Sequence, residues 1–428
     1  MFANKAANNV AKATNSVANA ANNVASKAAN NVADAANNVT KAANNVTKAA
    51  NNVANAANNV TSKAANNVTD QATSIKDKVV NGVKNGISKV TDNMKFLSGG
   101  RIGIFLLLVV TLILFVYSLS YTYRVSKVIE NMSDIYDDLI LIDPRYIRVN
   151  NMFTTPLKNL HIATAYRPYL GKNQLFDYCS LEILEKTMSV GARCLYIDVF
   201  NSDLSINADP VVCNGFEKGN WKLNLNRLSF EDVIRKISNN AFRSGYVQNY
   251  NDPLFLAINL KTAGNHYCVD KVKKIIVKYL KSRLLPSKYT NQQKNMANVP
   301  LIELMGKVVI FCSSGYQNTE LEELVNASWD KDTFNQISFD SLGGDPELAD
   351  PRTIVLDKEE LKQENERNLC LVVPPEDSFF TYNYPTLPYF KTGCQFIAIN
   401  YQNVYDDNTI EYMTRFSETS FLKTIEVE

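Results

Sequence analysis

The sequence predicts an α/β protein: a (β/α)8 barrel preceded by a single transmembrane helix and an N-terminal repetitive tail, helical or disordered. Three observations predict it. From about residue 150 onward, apolar runs of strand length alternate with segments of helical periodicity, as in parallel-sheet proteins. Several of those runs end in a polar residue, and the C-terminal ends of strands are where a barrel presents its active groups. Residues 102–121 carry no charge, and twenty residues of helix span about 30 Å, the thickness of a bilayer's hydrocarbon core.

Length and composition bound the rest. The 428 residues leave room for one large domain with accessories, and the net charge of +2 conceals an asymmetry. Residues 1–101 hold 12 basic and 4 acidic residues, a balance of +8, and the remainder is at −6. A basic tail ahead of an apolar segment points to an anionic membrane surface, not to nucleic acid. The cysteines number seven, with no Cys-x-x-Cys pair and no metal-ligand spacing. Cys194, Cys213, Cys312, Cys370 and Cys394 fall in or beside expected strands and read as small buried apolar residues, which suits a reducing compartment. Histidine chemistry has two candidates, His161 and His266.

The chain begins with a degenerate Ala-Ala-Asn-Asn-Val repeat over residues 1–75. Its valines, from Val10 to Val68, recur every seven residues with two steps of eight. That is a period of about 3.6 residues per turn, the period of a straight helix. Ala favours the helix and paired Asn weakens it. A helix lying on a membrane, a weakly self-associating rod and a disordered low-complexity tail all fit. Residues 76–101 are a basic juxtamembrane segment with a glycine-bearing hinge, and residues 102–121 are the span. The span lies too far along the chain for a cleaved signal peptide. Lys84, Lys89, Lys95 and Arg101 precede it and Arg124 and Lys127 follow, so the charge bias places the N-terminal side in the cytosol. A lumenal barrel would expose the sequons at Asn131 and Asn326 to glycosylation.

The barrel is expected in two halves, residues 150–329 and 368–428, joined by an acidic, irregular linker at 330–367. Strands are expected near 160–164, 194–200 and 209–215, then at 254–260, 307–313, 368–374 and 395–402. Helices are expected at 175–190, 229–242 and 270–284. Every one of these signals lies beyond the span, so residues 150–428 are expected to fold alone. His161, Asp198 and Asn214 are expected at strand ends, at the mouth.

Several motifs are more specific. Gly191-Ala192-Arg193-Cys194 precedes the second strand, with Arg193 as a scaffold charge. Leu228-Ser229-Phe230-Glu231-Asp232-Val233-Ile234 and Asn240-Ala241-Phe242 bracket a helix. Leu304-Met305-Gly306-Lys307-Val308-Val309-Ile310 opens another strand, and Tyr384-Pro385 leads to Gly393-Cys394-Gln395-Phe396-Ile397-Ala398-Ile399-Asn400-Tyr401-Gln402. Together, from about 156 to 428, they resemble the X and Y regions of phosphatidylinositol-specific phospholipase C. The resemblance implies a barrel that cleaves a phosphodiester with two histidines and a calcium ion. The ion is held by an Asn, two acidic residues of the second strand and a Glu of the fourth. Such a ligand set is all oxygen and largely anionic, as a hard divalent ion requires.

The residues implied for that chemistry are mostly replaced. His161 matches the first histidine, while Asn214 stands for the second and cannot exchange a proton near neutral pH. Ile162 takes the place of the adjacent Asn, Tyr196 that of a Glu, and Asn259 that of the fourth-strand Glu. Asp198 is retained, so Asp198 and Asn259 form at most a degenerate calcium site, with Asp198 also readable as a structural hydrogen-bond acceptor. Phe311 and Ser313 stand where lysines would hold inositol phosphates, and Leu371 and Val373 where an Arg and a Tyr would clamp the ring. Ser313 and Tyr384 are the substrate-binding candidates. His161 also reads as a satisfied residue at the mouth, and His266, past the fourth strand, as a substitute acid. The reading is a catalytically impaired, single-pass membrane protein whose barrel binds lipid or a protein partner. It needs no cofactor unless the degenerate site still holds calcium. Its partners are membrane phospholipids, a protein or a second copy through the repeat, and no nucleic acid. The alternative is an active hydrolase of a phosphoinositide or related phospholipid, working through His161.

Overall fold

The structure is a computed structural model that describes residues 100–331, 333–342, 356–375 and 382–426, the side chains of 100–106, 330, 331 and 426 excepted. The repeat, the basic segment up to residue 99 and residues 343–355 of the expected linker lie outside the described residues. The chain divides into two units, Met1–Val110 and Thr111–Glu428. The barrel lies in the second.

Eight parallel strands make the barrel wall: β1 (Leu160–Tyr166), β2 (Cys194–Asn201), β4 (Leu254–Lys261), β5 (Val308–Cys312), β6 (Ala327–Ser328), β7 (Phe334–Ser338), β8 (Leu369–Val373) and β9 (Phe396–Ile399). From β1 the ladder runs one way through β2, β4, β5 and β6, and the other way through β9, β8 and β7. The two ends meet at β6 and β7, joined by a short connection in which Asp330 and Lys331 pair antiparallel to the start of β7. Two strands cap the ring antiparallel: β3 (Pro210–Val212) on the end of β2, and β10 (Phe421–Lys423) on the start of β1. The wall strands are rich in Val, Ile, Leu and Phe because both faces are covered.

Side chains alternate across that wall. Leu160 and Ile162 of β1, Tyr196 of β2, Phe255 and Ala257 of β4 and Phe311 of β5 point into one packed lumen. Phe311 meets Phe255 with ring centres 5.5 Å apart and Phe396 at 5.2 Å. The lumen is a core, not a pore. The other parity, including Ala163, Leu195, Ile197, Leu256 and Ile258, faces the surrounding helices. Those are α2 (Leu181–Ser189), α3 (Phe230–Asn240), α4 (His266–Leu280), α5 (Lys358–Asn365), α6 (Leu387–Lys391) and α7 (Asp407–Arg415). Side chains cap most of their starts. Ser180 accepts from the amides of Glu182 and Ile183, Ser229 from Glu231, and Asp357 from Glu359 and Glu360.

The expected linker departs from the reading. Residues 330–367 contribute β7, which completes the ring, and α5. Phe-Asn-Gln-Ile-Ser at 334–338 reads as polar, yet it pairs with β8 over five residues.

A second departure is the helix before the barrel. α1 (Gly100–Leu139) does not stop near residue 121 but continues unbroken for another eighteen residues. Val125, Val128, Met132, Tyr136 and Ile140 make a stripe at spacings of three and four, all buried in the barrel's outer core. The Tyr136 hydroxyl donates to the Tyr401 carbonyl at 2.7 Å. The helix is thus part of the barrel's outer layer over its C-terminal half. Over Leu107–Leu139 it is also long and apolar enough to cross a membrane. Leu112, Ile113, Leu114, Phe115 and Val116 are all exposed.

This changes what should fold alone. Each of the buried residues Val125, Val128, Met132 and Tyr136 contributes about 1.5–3 kcal/mol by burial. A fragment of residues 121–428 is expected to show a cooperative thermal transition and strong near-ultraviolet circular dichroism. The 150–428 fragment should lose the near-ultraviolet signal while keeping its far-ultraviolet one.

Candidate functional site at the barrel mouth

β1 ends at Tyr166, and the next residue, Arg167, takes a left-handed backbone conformation with φ 46° ahead of Pro168. That turn folds the guanidinium back over the lumen, where it lies 4.5 Å from the centre of the Tyr166 ring. Its Nε donates to Asp198 Oδ2 at 2.7 Å, and its Nη1 donates to Gln174 Oε1 at 2.8 Å. Asp198 is fully buried near the end of β2, and its register partner on β4 is Asn259. Asn259 Nδ2 donates to Asp198 Oδ1 at 2.8 Å, and the Lys261 ammonium stands 3.8 Å from Oδ2. Burial works against the charged guanidinium, and the Asp198 carboxylate together with Tyr166, Tyr169 and Tyr196 more than offsets it, so Arg167 is held above its ordinary pKa.

Further bonds widen the network. Gln174 Nε2 donates to Asn400 Oδ1 at 2.7 Å, and Gln402 Nε2 donates to the Arg167 carbonyl at 3.0 Å. Beneath it, Tyr166 and Tyr196 stack at 5.0 Å, and Tyr196 and Trp329 at 6.1 Å. An aromatic floor therefore closes the lumen just below the polar layer.

The sequence-derived residues fare differently. Asp198 and Asn259 come together as neighbours. Asn214 is close by, but both ends of its amide hold loops. Its Nδ2 donates to the Gln174 carbonyl at 2.9 Å, and its Oδ1 accepts from Gly215 N at 2.7 Å. Ser313 follows β5, and its Oγ accepts from Leu260 N at 2.7 Å. Tyr384 stacks on Phe339 at 5.2 Å, part-buried. His266 opens α4 beside an open hollow of about 680 Å³ walled in part by Asn201 and Thr262.

The expected position of His161 is corrected outright. It is the second residue of β1, five residues before the strand's end, or about 17 Å at the strand rise. Its parity is that of Ala163 and Ala165, so the ring lies outside the wall and fully buried. Nδ1 lies 2.7 Å from the Cys394 carbonyl, and the Phe390 ring meets it edge-on at 4.8 Å. Burial drives its pKa down to about 4, against the Cys394 carbonyl and with help from Arg415. At the end of β1, where the resemblance implies the first histidine and its adjacent amide, stand Tyr166 and Arg167. Arg193 is a scaffold charge at the other end of β2, its Nη1 donating to the Ala241 carbonyl at 2.9 Å and its Nη2 to Asn249 Oδ1 at 2.6 Å.

Arg167, Gln174, Lys261 and Asn400 were not among the sequence-derived site residues. One signal was available: Arg167, Asp198 and Lys261 each sit at or just past the end of a strand-length apolar run.

The donor set does not fit calcium. Among the described residues no group of three or more His, Cys, Asp or Glu side chains converges. Asp198 already accepts from a guanidinium and an amide, with an ammonium next to it. A divalent cation there would meet two positive charges in place of the anionic oxygens it needs.

Two measurements follow. A buried ion pair with one partner removed typically costs 3–5 kcal/mol, because the remaining charge is stranded. Asp198→Leu and Arg167→Leu should each destabilise by about that much, while the double substitution should recover most of the loss. The midpoints of urea unfolding give the cycle. For His161 the folded pKa of about 4 lies below the unfolded value near 6.5. Its contribution is therefore full above about pH 6.5 and is lost as pH falls toward 4, by about 3 kcal/mol. In His161→Leu, thermal stability should fall less between those pH values than in the parent.

The comparisons agree with this fold. Residues 153–313 match the family model for the X domain of phosphatidylinositol-specific phospholipase C, a span that holds Arg167, Asp198, Asn259 and Lys261. The chain is similar to the 1-phosphatidylinositol 4,5-bisphosphate phosphodiesterase delta-3-A of Danio rerio, 21% identical over 61% of this chain and 37% of that protein. It is also similar to the beta-1 phosphodiesterase of that name from Mus musculus, 25% identical over 24% of this chain and 8% of the other. The chain thus spans well under half the length of both relatives. Among solved structures, PLC21 of S. officinalis superposes with a TM-score of 0.52 at 17% identity, covering 64% of this chain and 38% of the other. PLC21 of L. pealei gives 0.50 at 16%, covering 63% and 37%. With its near-closed ring of eight parallel strands, the chain has the barrel fold of those structures, and its residues 153–313 are similar to the phosphatidylinositol-specific phospholipase C X domain.

Proposed function

We propose that this protein is a membrane-anchored phospholipase C-like barrel that binds phospholipid or a membrane partner without calcium-assisted phosphodiester cleavage. The observation that carries this reading is the Arg167 guanidinium, 2.7 Å from Asp198. It puts a fixed cation where the resemblance implies a mobile one. A metal would lower the pKa of an attacking hydroxyl. A guanidinium can stabilise negative charge but neither exchanges ligands nor activates a bound hydroxyl. The reading is further supported by Asn214, whose amide is spent on loops, and by Phe311, Leu371 and Val373, which pack the lumen in place of head-group clamps.

Binding is supported by a donor that remains. Arg167 Nη2 is buried and has no hydrogen-bond partner among the described residues. Such a donor suits a phosphate oxygen. α1 supplies the anchor, by length and composition. The alternative, hydrolysis through His161, needs an imidazole at the mouth, and the buried ring behind the wall counts against it.

The test is hydrolysis of phosphatidylinositol and its bisphosphate by the full chain in vesicles, with calcium and with chelator. Release of inositol phosphate should stay at background in both. Calcium should leave the melting temperature unchanged. Turnover that depends on calcium and disappears in Asp198→Ala would show the reading to be wrong.

A further inference from the structure

The base of the barrel, at the N-terminal ends of the strands, holds a hollow that the mouth does not use. It measures about 830 Å³, within the roughly 300–1,000 Å³ of small-molecule sites. Its walls are the turn before β1, one face of α5, α6 with the loop into β9, and residues just past β10. One side chain ties the first three together. Gln395 is fully buried, and its Nε2 donates to the Lys158 carbonyl at 3.0 Å, the Gly393 carbonyl at 2.9 Å and the Asn365 carbonyl at 3.3 Å. The walls are therefore held in place without a ligand, which lowers the cost of binding one.

The charge of the hollow is unbalanced. Lys158, Lys358, Lys362 and Lys391 line it against Glu359 and Glu366, a balance of +2. Among the described residues none of these four ammonium groups has a carboxylate partner. Elsewhere on the barrel lysines do pair: Lys186 with Asp137, Lys236 with Glu185 and Lys278 with Glu231. Leu387, Pro388 and Ile425 add an apolar wall, with Ile425 78% exposed. Asn365 lines the hollow too, and it is buried. Its Nδ2 donates to the Thr392 carbonyl at 2.8 Å, which fixes the amide's orientation. That leaves Oδ1 buried with no hydrogen-bond partner among the described residues. A buried acceptor without a donor is costly, and a ligand that brings the donor removes the cost.

We propose that this hollow binds a soluble phosphate monoester carried on a hydroxyl-bearing ring, a nucleoside monophosphate or a hexose phosphate. A phosphate monoester carries about −1.5 to −2 at neutral pH, which matches the +2 of the hollow. Its oxygens take charge-assisted hydrogen bonds from the ammonium groups. The ring lies against Leu387, Pro388 and Ile425, and a hydroxyl or amino group supplies the donor that Asn365 Oδ1 lacks. The site is separate from the mouth. Asp198 lies near the far end of β2, while Lys158 and Gly393 stand ahead of β1 and β9.

The test is calorimetric titration of the full chain in detergent micelles with adenosine 5′-monophosphate, glucose 6-phosphate and inorganic phosphate. At least one ester should bind, and the tighter of the two names the ring. Inorganic phosphate should bind about tenfold more weakly or worse, since it leaves the apolar wall and Asn365 unused. Lys358 and Lys362 are exposed, so Lys358→Gln with Lys362→Gln should leave the melting temperature unchanged while weakening the ester by about tenfold or more. Lys127→Gln with Lys274→Gln removes the same charge from α1 and α4, outside the hollow, and should leave the affinity as it was. Equal loss in the two pairs shows a general charge effect and overturns the proposal. Inorganic phosphate binding as tightly as the esters overturns it too, as does no binding of either ester at millimolar concentration. A phosphoserine peptide that binds more tightly than both esters marks a protein partner, and also overturns it.

Discussion

The carboxylate of Asp198 is the group around which the mouth is built. It sits fully buried near the end of β2, where an unpaired negative charge would cost several kcal/mol. Arg167 and Asn259 satisfy its two oxygens, and Lys261 adds a second positive charge nearby. Arg167 follows the end of β1, and Asn259 and Lys261 both stand at the end of β4. Through Gln174 the network reaches Asn400, just past β9. Four strand ends are thereby pinned by side chains at the open end of the barrel, where backbone pairing is about to stop. The left-handed turn at Arg167 is the strained backbone that the pairing holds in place.

Scaffold contacts and mouth residues lie along the same strands. Ser229 caps α3, Arg193 ties β2 to neighbouring loops, and the strand order closes a near-complete ring. These are requirements of folding, and they persist. The side chains of Phe311, Leu371 and Val373 are part of the lumen core, and the aromatic floor of Tyr166, Tyr196 and Trp329 leaves the upper lumen filled. A fold of this kind is kept by packing, and the fold by itself does not fix the function of its site.

Much of the fold was legible because the strongest signals are long and local. The strands at 308–312 and 369–373 are unbroken apolar runs, that at 254–261 is apolar up to Asn259, and the helices between them are amphipathic. The pieces that escaped have weaker signals. β6 is two residues long, and β7 has polar Asn335 and Gln336 at its centre. The second half of α1 looks like a charged linker because its buried stripe is one side chain wide. The site was less legible for a different reason. Both faces of β1 are apolar, so alternation gives no inward parity. His161 drew attention as the titratable residue of the strand, and a position five residues from the strand's end was read as its tip. Arg167 was overlooked because a cation is not what a calcium site calls for. Pairing it with Asp198 required the turn that only the folded backbone supplies.

One feature of the core has a practical side. All seven cysteines are unpaired and buried, and burial holds the thiols of Cys179, Cys194, Cys213, Cys268 and Cys312 above their ordinary pKa. A thiol must be both exposed and ionised to react. The native fold is therefore chemically silent toward maleimides and disulfide reagents, without any cysteine being removed. Alkylation of the parent chain times its own opening, one buried layer after another. Conversely, a single cysteine introduced on the surface would take a label alone, against a background that stays dark for as long as the barrel is closed.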